Sequence, residues 1–147
     1  MTNVFCVANY ILQKVGSTTT MKLQKLIYYC QAWSLAWDDK PLFNEDFEAW
    51  ADGPVCPEIF KHHKGKFTLK ADFFDDYQCS FDEEQKETMD SVIEYYGKRS
   101  SHWLSELTHK ERPWKDARKG YAPGDLCEEI ITKESMLAYY GAMVGDE

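Results

Sequence analysis

The sequence predicts a mainly α fold: a single-domain helical bundle around a central apolar helix at about residues 21–37, with at most a minor β element. Three observations predict it. Apolar residues recur at helical spacing through most of the chain, capping residues and Gly or Pro punctuate those stretches, and only one short segment alternates like a strand. At 147 residues, with a 44% hydrophobic and 15% aromatic fraction, the chain fits one domain over 1–147 and can bury a sizeable core.

The first helix is expected over 3–15, where Val4, Ala8, Ile11, Leu12 and Val15 share a face and Gly16 ends it. Ser17-Thr18-Thr19-Thr20 offers hydroxyl caps for the central helix. There Leu23, Leu26, Ile27, Cys30, Trp33 and Trp37 form a broad apolar face, extended by Tyr29, Ala32, Leu35 and Ala36. A helix apolar on most sides belongs inside a bundle. Gln24, Tyr28 and Gln31 draw a narrow polar line on it that needs partners if buried.

After Pro41, the segment 42–52 alternates Phe47, Ala49 and Ala51 against Glu48, Trp50 and Asp52, as a short strand does. Gly53-Pro54-Val55 reads as a rigid extended turn that launches a helix at Pro57, running to about Lys64. Residues 66–79 lack periodicity and read as a structured excursion with room for a small β element. Ser80 with Glu83 fits a capping box for a helix to about Tyr96, with Met89, Val92, Ile93 and Tyr96 inward. Ser100 or Ser101 caps a short helix carrying Trp103, Leu104 and Leu107, and Pro113 at the first helical position starts another with Trp114, Ala117 and Arg118. Thr132 caps the last helix, beside an Ile131–Met136 staple, with Met136, Tyr139, Tyr140 and Met143 as its packing surface.

Composition excludes several function classes. A net charge of −8 and a pI near 5.0 argue against general nucleic-acid binding and suit steering toward a basic partner. No run is long enough for a membrane span and the N-terminus lacks a signal-peptide profile, so a cytoplasmic location is expected. Cys6, Cys30, Cys56, Cys79 and Cys127 are scattered, with no C-x-x-C pair, and read as reduced thiols.

Candidate chemistry is sparse. Cys56 with His62 and His63 is the nearest thing to a metal cluster, but it lacks a fourth ligand and regular spacing; the plain reading is a buried thiol and two exposed imidazoles. His109 with Glu111 is an imaginable acid–base pair, set against a structural role for His109 over Trp114. Nothing places an activated thiol beside a His. Lys61, Lys64, Lys66 and Lys70, with Lys110, Arg112, Lys115, Arg118 and Lys119, form two basic clusters, opposed by the acidic residues at 72–84. No cofactor is expected. Trp50, Gly53, Pro54, Val55 and Phe60 form the segment expected to touch a partner, since Gly-Pro stiffens the chain and Trp and Phe anchor interfaces; the competing reading puts both aromatics in the core.

Taken in order, four blocks resemble the Panacea domain family, the SocA-like antitoxins, which includes phage-associated GepA-type proteins. They are Lys22-Leu23-Gln24-Lys25-Leu26 with Tyr28 or Tyr29 and Gln31; Pro41-Leu42-Phe43 with Phe47-Glu48-Ala49-Trp50; Gly53-Pro54-Val55 with Pro57-Glu58-Ile59-Phe60; and Leu107-Thr108-His109 with Pro113-Trp114 and Ala117-Arg118. The resemblance implies structural roles for Lys22, Leu23, Gln24, Lys25, Leu26, Tyr29, Gln31, His109, Pro113 and Trp114. It also implies an antitoxin that uses no cofactor and binds a toxin protein encoded beside it on bacterial or prophage DNA. Occlusion of the toxin and its delivery to a protease, with the chain as adaptor, both fit. The alternatives from other classes are a small metal- or thiol-dependent enzyme and a phage-encoded nucleic-acid-binding regulator. Oligomeric state is left open. Some relatives carry an added DNA-binding segment, for which this chain is expected to have no spare length.

Overall fold

A helix opening at Thr20 organises the rest of the chain. The computed structural model describes residues 2–145. The elements are α1 (Val4–Val15), β1 (Thr18–Thr19), α2 (Thr20–Asp38), β2 (Phe47–Trp50), β3 (Gly53–Val55), α3 (Pro57–His63), β4 (Thr68–Leu69), α4 (Glu83–Tyr96), α5 (Ser101–Lys110), α6 (Arg112–Ala117), β5 (Ile130–Ile131) and α7 (Lys133–Gly145). The expected mainly α class with a minor β component is the observed one.

α2 is sheathed by α7, α4, α1, α5 and β3. Every residue from Leu23 to Ala32 is buried, which is what a helix without a polar face requires. Full burial of each Leu or Ile in that run stabilises the fold by roughly 1.5–3 kcal/mol. Thr19 caps the helix by accepting from the Lys22 amide. Asp39 closes it at φ 57°, a left-handed conformation that Asp tolerates better than most residues. The expected inward face ends early: Trp37 is 46% exposed and stacks on Trp33.

Two expected boundaries and one expected packing residue differ, for local reasons. Asp82, not Ser80, caps α4, and the reciprocal partner is Gln85, not Glu83. Both pairs have capping-box spacing, but the later start leaves Phe81 outside the helix, where its ring packs edge-on against Tyr10. Pro113 is the second residue of α6 rather than the first. Met143 on α7 is exposed, whereas Met136 and Tyr140 are buried as expected. Ser100 caps α5 and Thr132 accepts from the Ser135 amide at the start of α7.

The β content is more than one strand. β2 sits at the centre of a three-stranded antiparallel sheet, paired with β3 (Ala49↔Pro54) and β5 (Phe47↔Ile131). Gly53-Pro54-Val55 is therefore a strand rather than a turn. Pro54 is tolerated because β3 is an edge strand. A second ribbon pairs β1 with β4, inside the segment 66–79. Cys6 at the start of α1 is joined to Cys79 as a disulfide across 73 residues, correcting the reading of five reduced thiols; Cys30, Cys56 and Cys127 are free and buried. Among the described residues no helix is long and apolar enough to cross a membrane.

Candidate functional site

The polar line on α2 is the clamp that assembles this end of the molecule. Gln24 is fully buried; its Oε1 accepts from the Cys56 amide at 2.8 Å and its Nε2 donates to the Cys56 carbonyl at 3.3 Å. Two turns along, Gln31 repeats the arrangement: Oε1 accepts from the Leu42 amide and Nε2 donates to the Phe43 carbonyl, both at 2.8 Å. Each amide thus completes the backbone of a segment with no ladder partner of its own, the junction before α3 in one case and the loop before β2 in the other. That is why a Gln belongs at each position: only a side-chain amide offers one acceptor and one donor in that geometry.

Gln24 Nε2 also lies 3.0 Å from His63 Nε2. His63 is 2% exposed, and burial pushes its imidazole below the usual histidine range. It is therefore not one of two exposed imidazoles; only His62 is exposed. The rings of His62, Phe5 and Phe74 pack together, so Cys56, His62 and His63 do not converge on one point. The Cys56 thiol, buried at the start of α3, is pushed up to about 11, and burial likewise raises Cys30. Neither is an activated nucleophile.

Lys25 is the next residue round the helix and is treated differently. It is wholly buried, and its Nζ has no hydrogen-bond partner. Burial lowers the amine to about 8, against a smaller opposite pull from Asp52. The stem runs under Gly53, whose φ of 126° no side chain adopts comfortably and whose absent Cβ would collide with Lys25 Cε. That Cβ position is also 3.1 Å from Thr108 Oγ1 and 3.2 Å from Lys25 Nζ. So Gly53 is glycine both for its backbone conformation and to make room for Lys25 and Thr108.

His109 lies beside this point. Its ring stacks on Trp114 at 4.1 Å, and Trp114 donates its indole N–H to the Trp50 carbonyl at 2.8 Å. His109 Nε2 is buried without a partner. Burial lowers this imidazole, Lys25 lowers it further, and Glu106, Asp52 and the Ala51 backbone raise it. Separate motif blocks thus meet at the β2–β3 hairpin: Gly53 against Lys25 and Thr108, and Trp50 bonded to Trp114 under the His109 ring.

His109 and Glu111 are engaged separately. The Glu111 carboxylate is held between α2 and α7, where its Oε1 accepts from Tyr29 (2.6 Å) and Tyr140 (2.7 Å), and Tyr140 lies 3.2 Å from Tyr28. Burial raises this carboxyl above its usual range, while the two phenols pull it down. Arg118, expected in a basic cluster, is 6% exposed and donates to the carbonyls of Ala49, Ala122 and Asp125. It ties α6 to β2 and cannot serve an exposed basic stripe.

In the segment expected to meet a partner, Gly53, Pro54 and Val55 are buried. Trp50 and Phe60 are half-buried and meet edge-to-face at 4.8 Å. A shallow groove beside Trp50 is lined by Met21, Asp52, Asp125 and Leu126, and Leu126 is 79% exposed. Sequence reasoning missed the roles of His63, Arg118 and Tyr140. None carries a local signal, because each has a partner tens of residues away: Gln24 for His63, Ala49 for Arg118 and Glu111 for Tyr140.

The family model described as antitoxin SocA-like, Panacea domain, matches residues 23–115, more than half of the chain. Antitoxin SocA of Caulobacter vibrioides (strain NA1000 / CB15N) is 26% identical over 148 aligned residues, covering 85% of this chain and 78% of that protein. No solved structure matches significantly.

Proposed function

Because the chain belongs to the antitoxin SocA-like Panacea domain family, we propose that it neutralises a toxin protein by binding it directly. In this reading the toxin is the product of an adjacent gene, the complex forms in the cytoplasm, and one domain over 1–147 does the work without a cofactor. The family match carries the reading. Three features of the molecule support it. Cys30 and Cys56 are buried and held in their thiol forms, so neither supplies a nucleophile. The net charge of −8 favours encounter with a basic partner. The half-buried Trp50 and Phe60, with the exposed Leu126 beside Trp50, give an apolar centre of the kind interfaces use.

Gly53, Pro54 and Val55 act from behind that surface, as the strand that holds Trp50 in register. An interface of roughly 1,600 Å² in total covers the toxin's working surface. The experiment is expression of the neighbouring reading frame alone and together with this chain. Lethality alone and growth in the pair is the expected result; a harmless neighbour, or lethality unrelieved by the chain, would refute the reading. Trp50→Ala, in a variant that still melts cooperatively, weakens the complex by about 2 kcal/mol or more, as a central aromatic does. Undiminished affinity in calorimetry removes Trp50 from the interface.

A further inference from the structure

Among the described residues, Leu126 and Phe67 are the most exposed large apolar side chains, at 79% and 77%. Leu126 lines the groove beside Trp50, with Met21, Asp52 and Asp125. Phe67 meets the chain next to that groove. Its carbonyl accepts from the Thr20 amide at 2.9 Å, the Lys66 carbonyl accepts from the Thr20 hydroxyl at 3.4 Å, and Met21 follows Thr20 at the start of α2. Thr68 is in turn paired with Thr19 across β4 and β1. The backbone that carries Phe67 is thus fixed on both sides while its ring stays in solvent. A turn held in this way has already given up the freedom that binding would otherwise remove.

The charges divide along the same line. Both charged residues lining the groove, Asp52 and Asp125, are acids. From residue 64 to residue 70 the charged residues are Lys64, Lys66 and Lys70, all exposed. The ion pairs among the described residues involve neither these lysines nor Asp52. We propose that the partner interface runs from Leu126 over the start of α2 to Phe67. It takes an apolar segment of the partner protein that bears a base at the Asp52–Asp125 end and an acid at the lysine end. The proposal rests on the antitoxin reading and names the chemistry of the surface its partner must present. The opposed ends select that occupant. A membrane or a nucleic acid is anionic throughout, so it suits the lysines and is repelled by Asp52 and Asp125. A uniformly basic protein face suits the acids alone. A surface with both signs about an apolar centre satisfies both ends and takes Leu126 and Phe67 out of water.

The test is titration calorimetry of the full chain against the neighbouring gene product at low and high salt, with variants whose melting curves match the unaltered protein. Phe67→Ser and Leu126→Ser should each weaken the complex about tenfold or more. Lys64→Glu with Lys66→Glu, and separately Asp52→Lys, should each weaken it about threefold or more at low salt, and less at high salt. A partner of one sign gives opposite results: one reversal weakens the complex and the other tightens it, which overturns the two-signed surface. Unchanged affinity in Phe67→Ser, with weakening in Trp50→Ala, overturns the extension to Phe67 and leaves the antitoxin reading standing. A neighbour that does not bind the unaltered chain overturns both. The other occupants are tested on the chain alone, by flotation with vesicles of phosphatidylserine and phosphatidylcholine and by sedimentation at rising concentration. Neither vesicle binding nor self-association is expected; either one, if lost in Phe67→Ser, gives the surface to a membrane or to a second copy and overturns the proposal.

Discussion

Glu111 and Lys25 are both buried, Glu111 against α2 through Tyr29, one turn along from Lys25, and the protein treats them in opposite ways. Glu111 receives two tyrosine hydroxyls on a single oxygen, which offset part of the cost that burial sets on its charge. Lys25 receives nothing. The Glu111 cluster behaves as a finished core, in which polar groups are matched and removing one leaves the others exposed to the full desolvation penalty. Lys25 carries a standing cost that a pure scaffold has no reason to retain.

The comparison breaks most visibly at Gln24, another satisfied position. Gln24→Leu strips the Cys56 N–H and His63 of their partner and leaves the Cys56 carbonyl only the Phe60 amide, and is expected to cost about 2–4 kcal/mol. Urea unfolding at pH 7 reads it; an unchanged midpoint would mean that water reaches the Cys56 backbone. Lys25→Met should move the other way by a similar amount, a gain of about 3 kcal/mol at neutral pH, from the displacement of its amine from 10.5 to about 8. Lys25 is held below its unfolded value, so its burial cost stands in full below pH 8 and fades as the pH rises to 10.5. The two proteins should converge in stability across that window. A stability difference that does not change between pH 8 and 10.5 contradicts a buried, unpaired amine.

Smaller still is Glu111→Gln. It keeps an acceptor for both tyrosines and removes the charge, so at neutral pH the change should lie within about 1 kcal/mol. The pH profile discriminates better. The folded carboxyl is held above its unfolded value, so its contribution favours the fold at low pH and is lost as the pH climbs from 4.5 through the raised value. The Gln variant should lack that decline; an identical decline in both proteins would place its origin elsewhere.

Much of the helical frame was legible in the sequence because its signals are local. Asn3, Thr19, Ser100 and Thr132 cap helices within three residues of themselves, and the apolar run of α2 declares its burial directly. The Gln24–Tyr28–Gln31 line announced that partners were needed but not which. What escaped is long-range. The Cys6–Cys79 link and the β1–β4 and β2–β5 pairings join residues tens of positions apart, and two-residue strands carry no alternation to read. Gly53-Pro54-Val55 has the composition of a turn and becomes a strand because pairing with β2 overrides its poor local preference. The convergence of Lys25, Gly53 and Thr108 was visible only as separate motif blocks, because their meeting is a property of the packing.

The most direct test is to mix the purified chain with the neighbouring gene product and follow inactivation against molar ratio, weighing the product by mass spectrometry afterwards. A protein that works by contact must silence its target in fixed stoichiometry and release it, on denaturation and refolding, active and of unaltered mass. Silencing by a small fraction of an equivalent, with the target cleaved or covalently changed, contradicts the account.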